Sequence, residues 1–133
     1  MREILFKAKR KDNGEWVEGY YQKRYDLLGN EEHLIFHADS YTVWEYAEID
    51  PETLCQFTGL CDKNGKRIWE NDIIQYGAVA AVVKFGEYGN GNLGFYVDFP
   101  EETNYRKDFS YWAKKVVVIG NAVDDRSLLQ EVK

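Results

Sequence analysis

The sequence has few of the residues that mark linkers and disulfide scaffolds. Its 133 residues include only two prolines and two cysteines. So few prolines exclude polyproline segments and proline-rich linkers. A chain of this length can build a core without disulfide or metal support. We therefore expect Cys55 and Cys61 to be free thiols, as is usual in a reducing compartment.

Long hydrophobic runs are also missing. The longest, Gly77–Val83, is far shorter than the roughly 20 residues that a membrane-spanning helix needs. The opening MREILFKAKR interleaves charges with apolar residues, so it lacks the continuous apolar core of a secretion signal. These features predict a cytoplasmic protein that makes no membrane contact.

An excess of positive charge is absent as well. Seventeen basic residues face 23 acidic ones, which gives a net charge of −6 and a sequence pI near 5.0. Broad attraction to a nucleic acid backbone is therefore disfavoured. One local cluster remains a candidate nucleic-acid patch, and it consists of Lys7, Lys9, Arg10 and Lys11. The alternative is that this cluster is simply a solvated face.

Aromatic residues are abundant, at 16% of the chain, and they favour strands over helices. Alternation around Ile4–Ala8, followed by Asp12-Asn13-Gly14, predicts a β-hairpin whose second arm is 15–24. Gly19, inside that arm, predicts a bulge or a close contact with another segment. The short runs 33–37 and 41–46 predict further strands.

The second half predicts more strands joined by tight turns. A helical turn at Asp50–Thr53, with Asp as cap and Pro at the first position, precedes an extended run to Leu60. Strands are then predicted at 67–69, 73–76, 78–85, 95–99 and 116–119, with a Gly/Asn-rich loop over 86–94. Asn71 is a candidate for left-handed backbone, and residues 124–129 predict a short terminal helix.

Three stretches together resemble the YopX family of small phage and prophage proteins, whose biochemical function is not established. They are the opening MREILFKAKR, the closing VVVIGNAVDDRSLL and, most specifically, Ile49–Ile74 (IDPETLCQFTGLCDKNGKRIWENDII). Asn71 stands where the family commonly has Gly, a change that keeps access to the left-handed conformation.

The residues themselves predict an all-β protein with a short C-terminal helix. The resemblance implies the topology, an SH3-like small barrel preceded by additional N-terminal β-structure. We accordingly predict an N-terminal hairpin and meander module over 1–52 and the barrel with its terminal helix over 53–133. The two parts are expected to pack as one folding unit.

Catalytic, metal and cofactor sites are not expected. His33 and His37 lie in a predicted strand, and five residues separate Cys55 from Cys61, too many for a zinc finger or ribbon. Nothing local activates either thiol, because no basic cluster adjoins Cys55 and Cys61 lies beside Asp62. Acidic residues close in sequence do not define two carboxyl groups with separated pKa values. We predict that the protein is not an enzyme.

The aromatic excess points instead to binding. The 10 Tyr and 4 Trp residues are too many for the core of a small chain to hide, so some are expected on a surface that binds a partner. The candidate surface residues are Trp16, Tyr20, Trp44, Trp69, Tyr76 and Trp112. The competing interpretation is that most of these rings line two merged β-cores.

Three functions follow from these patterns. The leading prediction is a phage or prophage accessory protein that binds an unidentified phage or host protein, or associates with itself as a homo-oligomer. The alternative is a nucleic-acid-associated module that uses the Lys7–Lys11 patch with neighbouring aromatics. A third is an inhibitor of a host enzyme whose Asp and Glu clusters mimic a phosphate backbone.

Overall fold

The computed structural model describes residues 3–38 and 44–125, and antiparallel β-structure dominates this part of the chain. Its strands are β1 (Phe6–Lys9), β2 (Trp16–Tyr25), β3 (Glu31–Ala38), β4 (Trp44–Glu48), β5 (Cys55–Cys61), β6 (Arg67–Trp69), β7 (Asp72–Tyr76), β8 (Val79–Tyr88), β9 (Asn92–Asp98) and β10 (Val117–Asn121). One α-helical turn, α1 (Phe109–Trp112), and short 3-10 helices at Pro51–Thr53, Glu101–Thr103 and Ala113–Lys115 complete it. The all-β prediction is confirmed.

The chain forms two compact units, Met1–Phe57 and Thr58–Lys133, and β5 crosses the division. The prediction that residues 1–52 and 53–133 are two modules folding together stays a prediction. The strands of the second unit do not confirm the SH3-like closure that the resemblance implied. The predicted terminal helix over 124–129 lies largely outside the described residues, whereas α1 precedes the last strand.

In the first unit, β1 to β4 form a meander in the order β4-β3-β2-β1, with β5 beside β1. After β4 the chain returns to the end of β1, where Ile49 and Arg10 form an antiparallel bridge. The Lys11 N–H donates to the carbonyl of Glu48 at 3.0 Å, and the Asp50 N–H donates to the carbonyl of Lys9 at 2.9 Å. The meander is therefore curled, with the ends of β1 and β4 joined.

The inside of this curled sheet is small. Ala8, Ile35 and Ile49 are fully buried there, and Phe6, Val17, Tyr21 and Leu54 pack against them. The 3-10 turn that follows Ile49 was predicted correctly: the Asp50 side chain accepts the Glu52 N–H at 3.1 Å, and proline occupies the first turn. The Thr53 hydroxyl accepts the Lys9 N–H at 2.8 Å, which ties this turn to β1.

At Gly19, β2 approaches the backbone of β3 closely. A Cβ atom at this position would collide with the Phe36 carbonyl and lie 3.0 Å from the Ile35 Cγ2 atom. Only hydrogen fits between these strands, because a methyl group would displace the backbone of β3. The prediction of a close contact at this strand-interior glycine is confirmed.

The second unit contains a four-stranded antiparallel sheet in the order β10-β7-β8-β9. Its core is a cluster of buried side chains drawn from all four strands, from β6, from α1 and from adjoining segments: Ile68, Ile74, Ala81, Val83, Val97, Phe99, Phe109, Trp112, Ala113, Val116 and Val118. Asn71, at the entry to β7, has a φ of 72°, so the predicted left-handed residue is confirmed. Its N–H donates to the carbonyl of Val83 at 2.7 Å.

The hairpin of β8 and β9 is longer than expected. Residues 86–94 were predicted to be a loop, but the ladder continues through Gly86↔Gly94 and Glu87↔Leu93 as far as Tyr88↔Asn92. That prediction was wrong because glycine in a strand is read as a breaker, whereas here two glycines face each other. The rings of Tyr88 and Tyr96 stack 5.4 Å apart across the Gly86–Gly94 pair.

Asp62 holds the turn between β5 and β6 and joins it to β10. Its Oδ1 accepts the N–H groups of Asn64 and Lys66, both at 2.9 Å, and its Oδ2 accepts the N–H of Val118 at 3.0 Å. Burial raises the pKa of this carboxyl, but the three backbone N–H groups together outweigh burial, so its pKa is lower than usual. Asp62 is therefore a buried carboxylate whose charge is satisfied by the main chain.

We expect Gly19→Ala to lower the free energy of unfolding by roughly 3 kcal/mol, the upper end of the range for overpacking a tight site. Gly29→Ala is the control, because Gly29 has a φ of +84° and nothing within 4 Å of a Cβ atom. Gly29→Ala should lower the free energy of unfolding by about 1 kcal/mol, because alanine is strained in the left-handed backbone conformation. Urea unfolding of both variants measures the difference, and equal losses would contradict the steric argument.

We expect Asp62→Asn to lower the free energy of unfolding by about 1–3 kcal/mol at pH 7. The amide NH₂ of asparagine would replace a carboxylate oxygen that now accepts a hydrogen bond from a backbone N–H, so two donors would face each other. A lowered folded-state pKa stabilises the fold above the unfolded-state pKa of about 3.9, and this contribution is lost as the pH falls through the folded-state value. The difference between wild type and variant should thus shrink below about pH 4.

Asp26→Asn is the matched control for this prediction. Asp26 accepts the N–H groups of Leu28 and Asn30, both at 2.9 Å, but within its own partly exposed turn. Its replacement should cost less than that of Asp62. Denaturant unfolding of both variants between pH 3 and pH 7 provides the comparison, and an Asp62 effect that does not change with pH would refute the carboxylate assignment.

Candidate binding surfaces

Four aromatic side chains form what we term the outer aromatic face of the first unit. They are Tyr20 on β2, Phe36 on β3, and Trp44 and Tyr46 on β4. Tyr20 pairs with Phe36 and Phe36 pairs with Tyr46, so these three rings lie in one row across the sheet. Strand alternation places them on the side opposite Ala8, Ile35 and Ala47. The face is thus the outside of the curled sheet.

The rings of this face contact one another and remain accessible. The centroids of Tyr20 and Trp44 are 5.9 Å apart, and those of Phe36 and Tyr46 are 5.7 Å apart. The residues Tyr20, Trp44 and Tyr46 are 52%, 56% and 55% exposed. Three exposed aromatic residues, arranged in two contacting ring pairs on one side of a sheet, are unusual for a surface that binds nothing.

Charges of both signs border the outer aromatic face. The Arg24 guanidinium lies 5.0 Å from the centroid of the Tyr46 ring and donates to Glu32 at 2.7 Å. The pKa of Arg24 is raised, mainly by its hydrogen bond to Glu32 and to a smaller extent by its hydrogen bond to Tyr46. Lys11 and Glu48 form a further ion pair at 3.2 Å. An aromatic centre with a mixed polar rim is the composition of many protein interfaces.

The predicted nucleic-acid patch is divided by the structure. Arg10 donates two hydrogen bonds to Asp12, at 2.9 and 2.8 Å, and these bonds lower the pKa of the Asp12 carboxyl. Lys7 and Lys9 lie over the ring of Trp16, at 4.8 and 5.6 Å from its centroid. Lys11 is paired with Glu48, as described above. Arg10 and Lys11 are thus each paired with an acid of the chain, and Lys7 and Lys9 lie beside one aromatic ring.

The remaining candidate aromatics divide between core and surface. Trp69 and Trp112 are each 5% exposed, so these two candidate surface residues are buried, and Trp112 belongs to the core cluster of the second unit. Trp112 donates its indole N–H to the Arg106 carbonyl at 2.7 Å and contacts Phe99 at 5.0 Å. Tyr76, 4.9 Å from Trp112, is 40% exposed and lies at the border of that cluster. A binding role for these residues stays a prediction.

His33 and Cys55 each contact other polar groups of the chain. The Tyr21 hydroxyl and His33 Nδ1 are 2.6 Å apart, and His33 Nε2 is 3.3 Å from Glu31. Cys55 is buried with its thiol donating to the Thr53 carbonyl at 3.3 Å, and Cys61 is a partly buried free thiol. Within residues 3–38 and 44–125, no three His, Cys, Asp or Glu side chains are grouped to hold a metal ion.

Sequence reasoning missed Phe36, Tyr46 and Arg24 as members of one surface. Alternation within each strand gives the face on which a side chain lies, and the period of two is visible in HLIFH and WEY. The register between strands decides which side chains become neighbours, and no local pattern in these short runs fixes it. Only the three-dimensional pairing brings Tyr20, Phe36 and Tyr46 into one row.

Comparisons with known proteins agree with this fold. Protein EF1440 from Enterococcus faecalis, known from a crystal structure, is similar over 97% of this chain and 99% of its own, with 21% identity and a TM-score of 0.50. None of the helices in the described residues is long and apolar enough to cross a membrane. No curated protein matches the chain.

The family assignment rests on almost the full length of the sequence. A model described as YopX protein matches residues 5–130, which include the N-terminal meander, the Ile49–Ile74 segment and the C-terminal sheet. The resemblance seen in the sequence is thereby confirmed: the chain belongs to the YopX family.

Proposed function

We propose that this protein is a non-enzymatic binding module that contacts other protein surfaces, including a second copy of itself, through the outer aromatic face. The observation that carries the proposal is the contact of Tyr20 with Trp44 and of Phe36 with Tyr46 on the outside of the curled sheet, with three of these four residues at least half exposed. Burying such rings against a partner releases water from a large apolar area at little entropic cost.

The position of β4 supports self-association as the simplest form. This strand is the last in its sheet, and it carries both Trp44 and Tyr46. Two copies related by a twofold axis can place their β4 strands side by side, so that each aromatic pair meets its equivalent. The rim carries both Arg24 and Glu32. Across such an axis, Arg24 of one copy can therefore face Glu32 of the other.

The expected setting follows from the family resemblance. We propose that the protein acts as a phage or prophage accessory protein in the cytoplasm of a bacterial host. Its net charge of −6 fits a protein partner better than a nucleic acid. The internal pairing of Arg10 with Asp12 and of Lys11 with Glu48 further weakens the case for the nucleic-acid alternative.

We expect the mass in solution to rise from monomer to dimer as concentration increases, and Tyr46→Ser to raise the dissociation constant at least tenfold. Truncating an aromatic hot-spot residue at the centre of an interface costs about 2 kcal/mol or more, which exceeds tenfold in affinity. Tyr25→Ser is the matched control, because Tyr25 is 62% exposed and lies on the opposite side of the sheet. It should leave the dissociation constant unchanged. Sedimentation equilibrium at two salt concentrations makes the measurement.

A monomer at all concentrations would contradict self-association and leave only a second protein as partner. In that case the wild type and the Tyr25→Ser variant should capture the same protein from a host lysate, and Tyr46→Ser should lose it. Equal capture by all three would refute the outer aromatic face as the binding surface. Salt-dependent binding to single-stranded DNA, abolished by reversing Lys7 and Lys9, would instead establish the nucleic-acid alternative.

A further inference from the structure

The second unit contains a polar groove that is separate from the outer aromatic face. It lies where β7 ends and β10 begins, and its volume is about 340 Å³. Six residues line it: Lys63, Gln75, Tyr76, Gly77, Lys115 and Val117. This volume is at the lower end of the range for small-molecule sites, so it suits a compact ligand.

Backbone hydrogen bonds fix the segments that form the groove. Gln75 and Val117 are directly paired in the antiparallel ladder of β7 and β10, so their side chains share one side of the sheet. The Lys63 N–H donates to the carbonyl of Val116 at 3.1 Å, which anchors the turn after β5 beside the start of β10. The Gln75 amide donates to the Gly77 carbonyl at 3.0 Å, which orients this side chain.

The charge of the groove is positive in a protein that is negative as a whole. Lys63 and Lys115 line it, and no carboxylate does. Neither ammonium group forms an ion pair with any residue in the described ranges. Lys115 donates to the Tyr111 carbonyl at 3.1 Å and lies 3.9 Å from the centroid of the Tyr111 ring, which holds it in place without neutralising it.

The nearest acid along the chain does not cancel this charge. Asp62 precedes Lys63, but it is buried and both of its oxygens accept backbone N–H groups, from Asn64, Lys66 and Val118. Because the Asp62 oxygens already accept these hydrogen bonds, Asp62 does not form an ion pair with the Lys63 ammonium group. The two ammonium groups are therefore available to an anion from solution.

We propose that this groove binds the phosphoryl group of a small ligand. A lysine ammonium is a compact point charge with three donors, which suits a tetrahedral phosphate, whereas planar carboxylates are matched best by the fork of an arginine. No arginine lines the groove. The Tyr76 ring, held edge-on by Trp112 at 4.9 Å and by Tyr105 at 6.0 Å, forms a fixed wall for the part of the ligand that carries the phosphate.

The test is a titration of the full chain with inorganic phosphate at constant ionic strength and pH 7, followed by amide NMR shifts. We expect saturable shifts at residues 75–77 and 115–117 with a millimolar dissociation constant. Lys63→Gln and Lys115→Gln should each raise that constant about tenfold, the effect of losing one charge-assisted hydrogen bond. Both side chains are exposed, and unchanged amide positions elsewhere show that the variants fold.

Lys114→Gln is the matched control, because Lys114 is an exposed neighbour that does not line the groove. It should bind phosphate as the wild type does. Shifts that never saturate, or equal weakening by Lys114→Gln, would overturn the site. Equal saturation by acetate would overturn the assignment to phosphate. The groove and the outer aromatic face belong to different units, so failure of either proposal leaves the other standing.

Discussion

Hydrogen bonds between residues 9–11 and 48–50 determine how the first unit divides its side chains. These bonds curl a four-stranded meander until its ends meet, and the inner side of so tight a curve has room for few side chains. Ala8, Ile35 and Ile49 fill that space together with the parts of larger neighbours that reach it. The bulky rings on the other side of each strand cannot enter, so they become the outer aromatic face.

The second unit uses its aromatic residues in the opposite way. Trp112 lies within 5.3 Å of the ring centroids of Tyr76, Phe99, Tyr105 and Tyr111, and its indole N–H is satisfied by a backbone carbonyl. These rings fill the space between α1, the end of β7 and the segment after β9. Composition alone cannot distinguish the two uses, because tryptophan and tyrosine are abundant in both halves of the chain.

Local backbone structure was predictable at positions where the residue type strongly favours one conformation or contact. Asp50 before Pro51 indicated a capped turn, Asn71 indicated left-handed backbone, and Gly19 indicated a close approach of strands. Each follows from sterics or hydrogen bonding within a few residues. The all-β class follows in the same way from alternation and turn residues.

Features that depend on pairing between distant segments were not predictable. The ladder through Gly86 and Gly94 is an example, because the two glycines oppose each other only once the hairpin has formed. The burial of Trp69 and Trp112, and the row of Tyr20, Phe36 and Tyr46, depend on register in the same way. Resemblance to the YopX family supplied the family assignment, which the spacing of apolar residues could not give.

The Asp62 carboxylate has a consequence for the order of folding. Its bonds to Asn64 and Lys66 close within one turn, but its bond to Val118 spans 56 residues of chain. Local contacts form early because they close short loops, whereas contacts of long separation form late. We therefore expect the turn to be organised before β10 pairs and the Val118 bond to form late. An interaction absent from the transition state acts on the unfolding rate, so we expect this single bond to lengthen the lifetime of the native sheet without speeding its formation.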